Sequence, residues 1–177
     1  MQTLYPQVTL QLIQSTSTRV EKHLKTGELD CGYILGPPTS PRIKTRFLRS
    51  VDFLVSGPAS WKQKLKNANA QEIAALPWVI NTKGCRLGKL IVEHFGQKNQ
   101  DLLKTVEADD ETMIRLIQAG AGLGVMARDK AEAAEQKGQI ALWRGKALPL
   151  DLFFTYLETR SDDPKIEAML RVHEAVW

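Results

Sequence analysis

Apolar and polar positions along the chain alternate between two periods. Val8 to Ile13 (VTLQLI) is short and rich in β-branched residues, as a strand should be. Thr18 and Glu21 have the spacing of a capping box, and Val20 and Leu24 share one face of the helix it opens, with Gly27 as its C-cap. Leu29 to Leu35 reads as a second strand, stopped by Gly36-Pro37-Pro38. Strand, helix and strand in about thirty residues make a βαβ unit, which predicts a parallel sheet.

The same grammar recurs downstream. Asn69 to Glu72 is another capping box, opening a short helix through Ala75, and Pro77 to Asn81 reads as a buried strand. A helix with Leu87, Leu90, Ile91 and Phe95 on one face runs to Gly96. Thr105 to Ala108 is a strand, and Asp109 or Asp110 caps a helix closing at Gly120. Leu123 to Ala127, Asp129 to Lys137 and Ile140 to Trp143 then give strand, helix, strand. The last helix has Asp163 as its cap, Pro164 at its first position and His173 on its apolar stripe, where a packed residue is expected rather than a ligand.

Two stretches break the alternation, Arg46 to Ser56 and Leu148 to Leu157. They are long and extended, and they read as strands on which the chain leaves one lobe and returns to it. The expected organisation is residues 1–50 plus 150–177 as one lobe and 51–149 as the other.

Composition narrows the function classes. The chain has 177 residues, 43% of them hydrophobic and 25% charged, enough to bury a core without staples. The net charge is +4, with seven Lys or Arg against the single Asp52 between residues 42 and 66. No recognition helix or aromatic-interleaved basic stripe accompanies them, so direct nucleic-acid binding by this segment is not expected. The uncharged run from Ala119 to Ala127 falls far short of a membrane span, and no secretory signal opens the chain. Cys31 and Cys85 form no metal-ligand spacing, and His23, His94 and His173 are scattered. A reduced, cytoplasmic protein without metal or cofactor is expected, and no catalytic constellation is visible.

Gly120-Ala121-Gly122-Leu123-Gly124 invites comparison with a dinucleotide-binding loop. That loop follows a strand and opens a helix, whereas these glycines follow a helix and precede a strand. They read instead as a tight turn with Gly120 at positive φ. The acidic run of Glu107, Asp109, Asp110 and Glu111 reads as a solvated helix start. Two loops are of greater interest, Ser15 to Thr18 and Thr82 to Arg86. Each follows a strand and opens a helix, where amides and small hydroxyls hold anions, although such residues also serve as plain N-caps.

YPQVTLQL, KTGELDCGYIL, FLVSG, LPWVIN and LIQAGAGLGVM, in this order and spacing, resemble the effector-binding domain of a LysR-type transcriptional regulator. The resemblance implies an α/β, two-lobed type 2 periplasmic-binding-protein-like fold with two crossover strands. It begins after that family's DNA-binding head and after the domain's own first strand and helix, which implies an N-terminally shortened chain. It also implies a small polar or anionic effector held between the lobes. DNA would be touched only through a helix-turn-helix absent here, in a homo-oligomeric regulator. Carried over residue by residue, the effector-binding positions are Ser15, Thr16, Ser17, Thr82, Gly84, Cys85, Asp110 and Thr112. Arg49 on a crossover strand adds a bidentate fork for a carboxylate or sulfate. Cys85 departs from the hydroxyl the family often presents there. An enzyme of the same bilobal fold and a stand-alone solute-binding protein are the rival readings.

Overall fold

The structure is a computed structural model, and it describes residues 5–81, 85–96, 106–108 and 110–176, excepting the side chains at 81, 107, 108, 110, 111, 175 and 176. The chain forms two compact units, residues 1–50 with 151–177 and residues 51–150. It passes out of the first within one long strand and back within another, the two stretches that break the alternation in the sequence.

In the first unit, α1 (Ser17–Thr26) leads to β1 (Cys31–Leu35). The first half of β2 (Ile43–Pro58), the second half of β7 (Leu148–Leu157) and α7 (Pro164–Val176) complete it. Helix α1 ends where Gly27, at φ +76°, turns its amide back to the carbonyls of His23 and Leu24. Its inner face buries Val20 and Leu24 with Ile34 and Ile43, flanked by Leu29, Phe153 and Leu157. Fully burying such a side chain is worth about 1.5–3 kcal/mol.

Three expectations for this region fail. Val8 to Ile13 forms no strand, and Leu10, Leu12 and Ile13 stand 45%, 80% and 55% exposed. Its composition is that of a strand, but an extended segment becomes one only by bonding to a neighbour, and it has none among the described residues. For the same reason the predicted parallel βαβ unit does not form: β1 pairs antiparallel with β7, Cys31 opposite Tyr156 and Leu35 opposite Leu152. The helix start differs as well, with Thr16 rather than Thr18 as the cap. Thr16 is the N-cap, accepting from the Arg19 amide at 3.4 Å, while the buried Glu21 carboxylate accepts from the amide and hydroxyl of Thr39 beyond β1.

The last helix is built as its sequence predicts, with Asp163 Oδ1 accepting from the Lys165 amide at 2.9 Å. His173 is 3% exposed, wedged against Phe154 with ring centroids 4.4 Å apart. The Tyr33 hydroxyl lies 2.8 Å from its Nε2, while Nδ1 is buried with no hydrogen-bond partner among the described residues. Burial holds the imidazole below its usual pKa, and the Arg46 guanidinium adds to that.

The second unit begins with the last residues of β2, Phe53 to Pro58, all buried. β5 (Gly124–Ala127) and β6 (Ile140–Leu142) pair with them antiparallel, so that Ser56 faces both Gly124 and Leu142. Between them run α2 (Lys62–Asn67), α3 (Ala70–Ala74), β3 (Val79–Asn81), α4 (Arg86–Phe95), β4 (Val106–Ala108), α5 (Asp110–Gln118) and α6 (Arg128–Gln136). The capping box of Asn69 and Glu72 is present as predicted. Helix α2 escapes the sequence pattern because Leu65 is its one buried residue. The core joins Leu54, Val79, Met113, Ile117, Met126 and Leu142 among others. Phe95 sits between Trp78, tilted with centroids 5.1 Å away, and Trp143, edge-on at 5.9 Å. The Trp143 indole donates to the Ala68 carbonyl at 2.8 Å.

Gly120 adopts φ +90°, as expected of the turn after α5. Gly122 is the more constrained of the two, at φ +157°, because a Cβ there would stand 2.5 Å from the Pro77 carbonyl oxygen. That approach lets the Leu123 amide donate to Pro77 at 2.8 Å and its carbonyl accept from Val79 at 2.6 Å.

Two predictions follow from these contacts. Gly122→Ala lowers stability by about 2–4 kcal/mol through the clash and its forced relief, whereas Gly120→Ala, with open space around it, costs about 1–2 kcal/mol. Urea denaturation of the three proteins checks the order. A histidine whose folded pKa is depressed takes up its proton more readily when unfolded, so its contribution is present above the ordinary value of 6.5 and is lost as pH falls below it. Denaturation midpoints should therefore drop from about pH 7 to pH 5, and His173→Gln, which keeps an acceptor for Tyr33, should flatten that slope.

Candidate functional site

In the second unit Cys85, Asp110 and Thr112 lie at the starts of helices that follow a parallel strand pair. β3 and β4 run side by side, with Asn81 opposite Ala108. The chain leaves both at their carboxyl ends and enters helices, α4 from β3 and α5 from β4. Two helix N-termini are thereby set at the same end of a two-stranded parallel sheet. That is where α/β sheets collect ligands, and where amides and the positive ends of the helices favour an anion.

Of the candidates here, Thr82 and Gly84 lie outside the described residues. Cys85 is half-buried and occupies the N-cap position of α4 with φ −70° and ψ 137°, but its sulfur caps no amide. A serine or threonine there would have bonded to the first turn. The first turn of α4 also carries no acid, so nothing on it opposes an incoming negative charge. Asp110 is the first residue of α5, its side chain outside the described residues, and Thr112 is exposed in the same turn.

In the first unit Ser15, Thr16 and Ser17 are half-buried at the start of α1. Ser17 Oγ accepts from the Leu35 amide at 3.1 Å, which ties the head of the helix to the carboxyl end of β1. Thr16 is occupied as the N-cap. Both hydroxyls thus hold the loop in place, and the plain-cap reading is correct for Thr16. Arg49 sits exposed on β2 within this unit. Sequence reasoning missed the bond from Leu35 to Ser17, because an isolated serine before a helix carries no sign of its long-range partner. It also missed Glu21 and Thr39, reading the glutamate as a local cap.

A family model described as LysR substrate binding domain matches residues 1–176. The chain belongs to that family. The family and the structural neighbours are regulatory domains of LysR-type transcriptional regulators, with a periplasmic-binding-protein-like α/β fold. A reduced form of OxyR from N. meningitidis superposes with a TM-score of 0.78 at 16% identity, over 97% of this chain and 83% of that one. The sulfate-bound regulatory domain of OxyR2 E204G from Vibrio vulnificus gives 0.75 at 17%, over 99% and 85%. Full-length CbnR complexed with its target DNA gives 0.68 at 19%, over 97% of this chain and 60% of that one. At these identities the likeness is one of fold. No curated protein matches the chain in sequence.

Both cysteines of this LysR-family domain are free, one in each unit. Burial, with the Asp30 carboxylate adding to it, pushes the Cys31 thiol up to about 11. Among the described residues no group of His, Cys, Asp and Glu is placed to hold a metal ion, and no helix is long and apolar enough to cross a membrane.

A thiol of pKa about 11, against the ordinary 9.0, carries roughly a hundredfold less thiolate at pH 8, and the thiolate is the nucleophile. In a Cys85→Ser background, Cys31 should react with iodoacetamide about a hundredfold more slowly than a peptide thiol. Urea should restore the peptide rate; mass spectrometry of timed samples measures both.

Proposed function

We propose that this chain is the effector-sensing, non-enzymatic part of a LysR-type regulator, residues 1–50 with 150–177 and 51–149 acting as the two effector-binding lobes. It takes a small polar or anionic metabolite and passes the binding on to DNA through a helix-turn-helix segment outside these 177 residues. The observation that carries the reading is the parallel β3–β4 pair, which sets the starts of α4 and α5 at one end. Amides at the start of α4, whose first turn carries no acid, suit an anion, while Asp110 and Glu111 open α5 and confine the attraction to the α4 side. The sulfate named in the OxyR2 structure is consistent with that chemistry. Thr16 and Ser17, held by bonds to Arg19 and Leu35, support it from the first unit together with Ser15 beside them, and Arg49 would supply a charge partner. Thr82, Gly84, Cys85, Asp110 and Thr112 complete the proposed effector positions. The regulator would work in the cytoplasm as a homo-oligomer.

A ligand of this kind acts by differential affinity. It stabilises whichever arrangement of the domain it binds more tightly, and that preference is what a DNA-binding segment can read. Thermal melts against a panel of sulfate, phosphate and small carboxylates test the reading. A ligand at a hundred times its Kd should add about 2.7 kcal/mol of stability. Arg49→Ala should weaken that ligand by about 1.5–3 kcal/mol, the worth of a charge-assisted bond. A well-folded sample that no member of the panel stabilises would overturn the proposal.

A further inference from the structure

The corner between α2 and α3 holds a hollow of about 420 Å³, inside the range of about 300–1,000 Å³ that small-ligand clefts occupy. It lies wholly in the second unit. Leu76, part of its lining, comes just before β3, so the hollow stands toward the amino end of that strand. The effector positions proposed above follow its carboxyl end. The frame of the hollow is fixed before any ligand arrives. Leu65 on α2 and Ile73 on α3 are fully buried and tie both helices to the core. Between them the Ala68 carbonyl accepts from the Trp143 indole at 2.8 Å, and the Asn69–Glu72 capping box closes the start of α3.

The lining has a definite chemistry. Helix α2 contributes Lys64, with the carboxamides of Gln63 and Asn67 beside it, and α3 contributes Glu72. Ala68 and Leu76, both half-buried, supply apolar surface. Lys64 Nζ stands 4.9 Å from the centre of the Trp61 ring, and Glu72 Oε2 accepts from the Asn69 amide at 2.8 Å. These contacts orient the two charges without neutralising either, since among the described residues neither side chain has an ion-pair partner. One cation and one anion on a single small hollow exclude several guests. An anion is repelled by Glu72 and a cation by Lys64, while a neutral hydrocarbon answers neither. The guest that matches both carries a carboxylate, an ammonium and a short apolar group.

We infer that the hollow between α2 and α3 is a small-molecule site in its own right, one that takes a free amino acid with an apolar side chain. The carboxylate of the guest pairs with Lys64 and its ammonium with Glu72 Oε1, the oxygen that the capping box leaves open. Its side chain lies against Ala68 and Leu76, and the carboxamides of Gln63 and Asn67 add donors for the carboxylate. Both ion pairs are exposed, so the Kd is on the order of millimolar, and discrimination comes from the need for both charges at once. The site is separate from the effector positions and stands whether or not those bind an anion.

Amide NMR spectra of the whole chain, titrated with leucine, read the site directly. Saturable shifts are expected at Asn67, Ala68, Glu72 and Leu76. Two analogues separate the charges: 4-methylpentanoate is leucine without its ammonium, and 3-methylbutylamine is leucine without its carboxylate. Each should bind at least about threefold more weakly than leucine. Glu72→Gln removes the charge while keeping an acceptor for the capping box. It should weaken leucine by about threefold or more and leave 4-methylpentanoate no weaker, whereas Lys64→Gln should weaken leucine and leave 3-methylbutylamine no weaker. Three results would each overturn the inference: no shift in this segment even at tens of millimolar leucine, shifts confined to the starts of α1 and α4, or leucine binding that both variants leave untouched.

Discussion

Two backbone hydrogen bonds, from Leu123 to Pro77 and from Val79 back to Leu123, determine the second unit more than any side chain does. They join the turn before β5 to the start of β3, and β3 in turn carries β4 and the entry to α4. The approach works only because Gly122 has no Cβ to meet the Pro77 carbonyl. Everything proposed for the site in this unit depends on that contact. Without it β3 loses its link to β5, and the carboxyl ends from which α4 and α5 spring lose their common base.

This also explains why the glycine cluster is so easily misread. Glycines in a dinucleotide-binding loop and glycines here do the same physical job, letting a backbone come close to something. There the guest is a pyrophosphate; here it is another stretch of the same chain. The order of elements around the cluster settles the difference, and that order was legible in the sequence. What was not legible is the division of labour. Gly120 is needed for its dihedral angle, which follows from its place after a helix, whereas Gly122 is needed for space, which depends on a residue 45 positions away.

The same boundary between local and distant information runs through the rest of the fold. Helix α7, the α3 capping box and the two long crossover strands rest on neighbours in sequence, and they were readable. Val8 to Ile13 carries an equally clear strand pattern that pairs with nothing among the described residues, and Glu21 has a distant partner, Thr39, that its local spacing does not reveal. A strand pattern states which residues would share a face, not that a partner exists, and the spacing of Glu21 from Thr18 says nothing of its bond with Thr39. The family, by contrast, was legible because it rests on many weak local marks in a fixed order. The site falls between these cases: its loops were found by their position after strands, while the roles of their hydroxyls were hidden in long-range bonds.

Those bonds bear on how such a site would discriminate. Thr16 Oγ1 accepts from Arg19 and Ser17 Oγ from Leu35, so both oxygens are already committed to amides of their own unit. A hydroxyl so committed still has its own proton to donate, but it cannot reorient freely to suit different ligands. The loop is therefore ordered before any ligand arrives, and a ligand does not have to supply the free energy of ordering it. The cost appears as narrowness. A fixed set of donors rewards a negative charge at one place and gives little to a neutral molecule of the same shape, whose acceptance would leave those donors poorly matched. Cys85 works in the opposite sense, since a sulfur that caps nothing neither fixes its turn nor offers a strong donor. Under the proposed reading the loop of the first unit would offer a pre-ordered set of donors, and the start of α4 in the second unit would offer backbone amides.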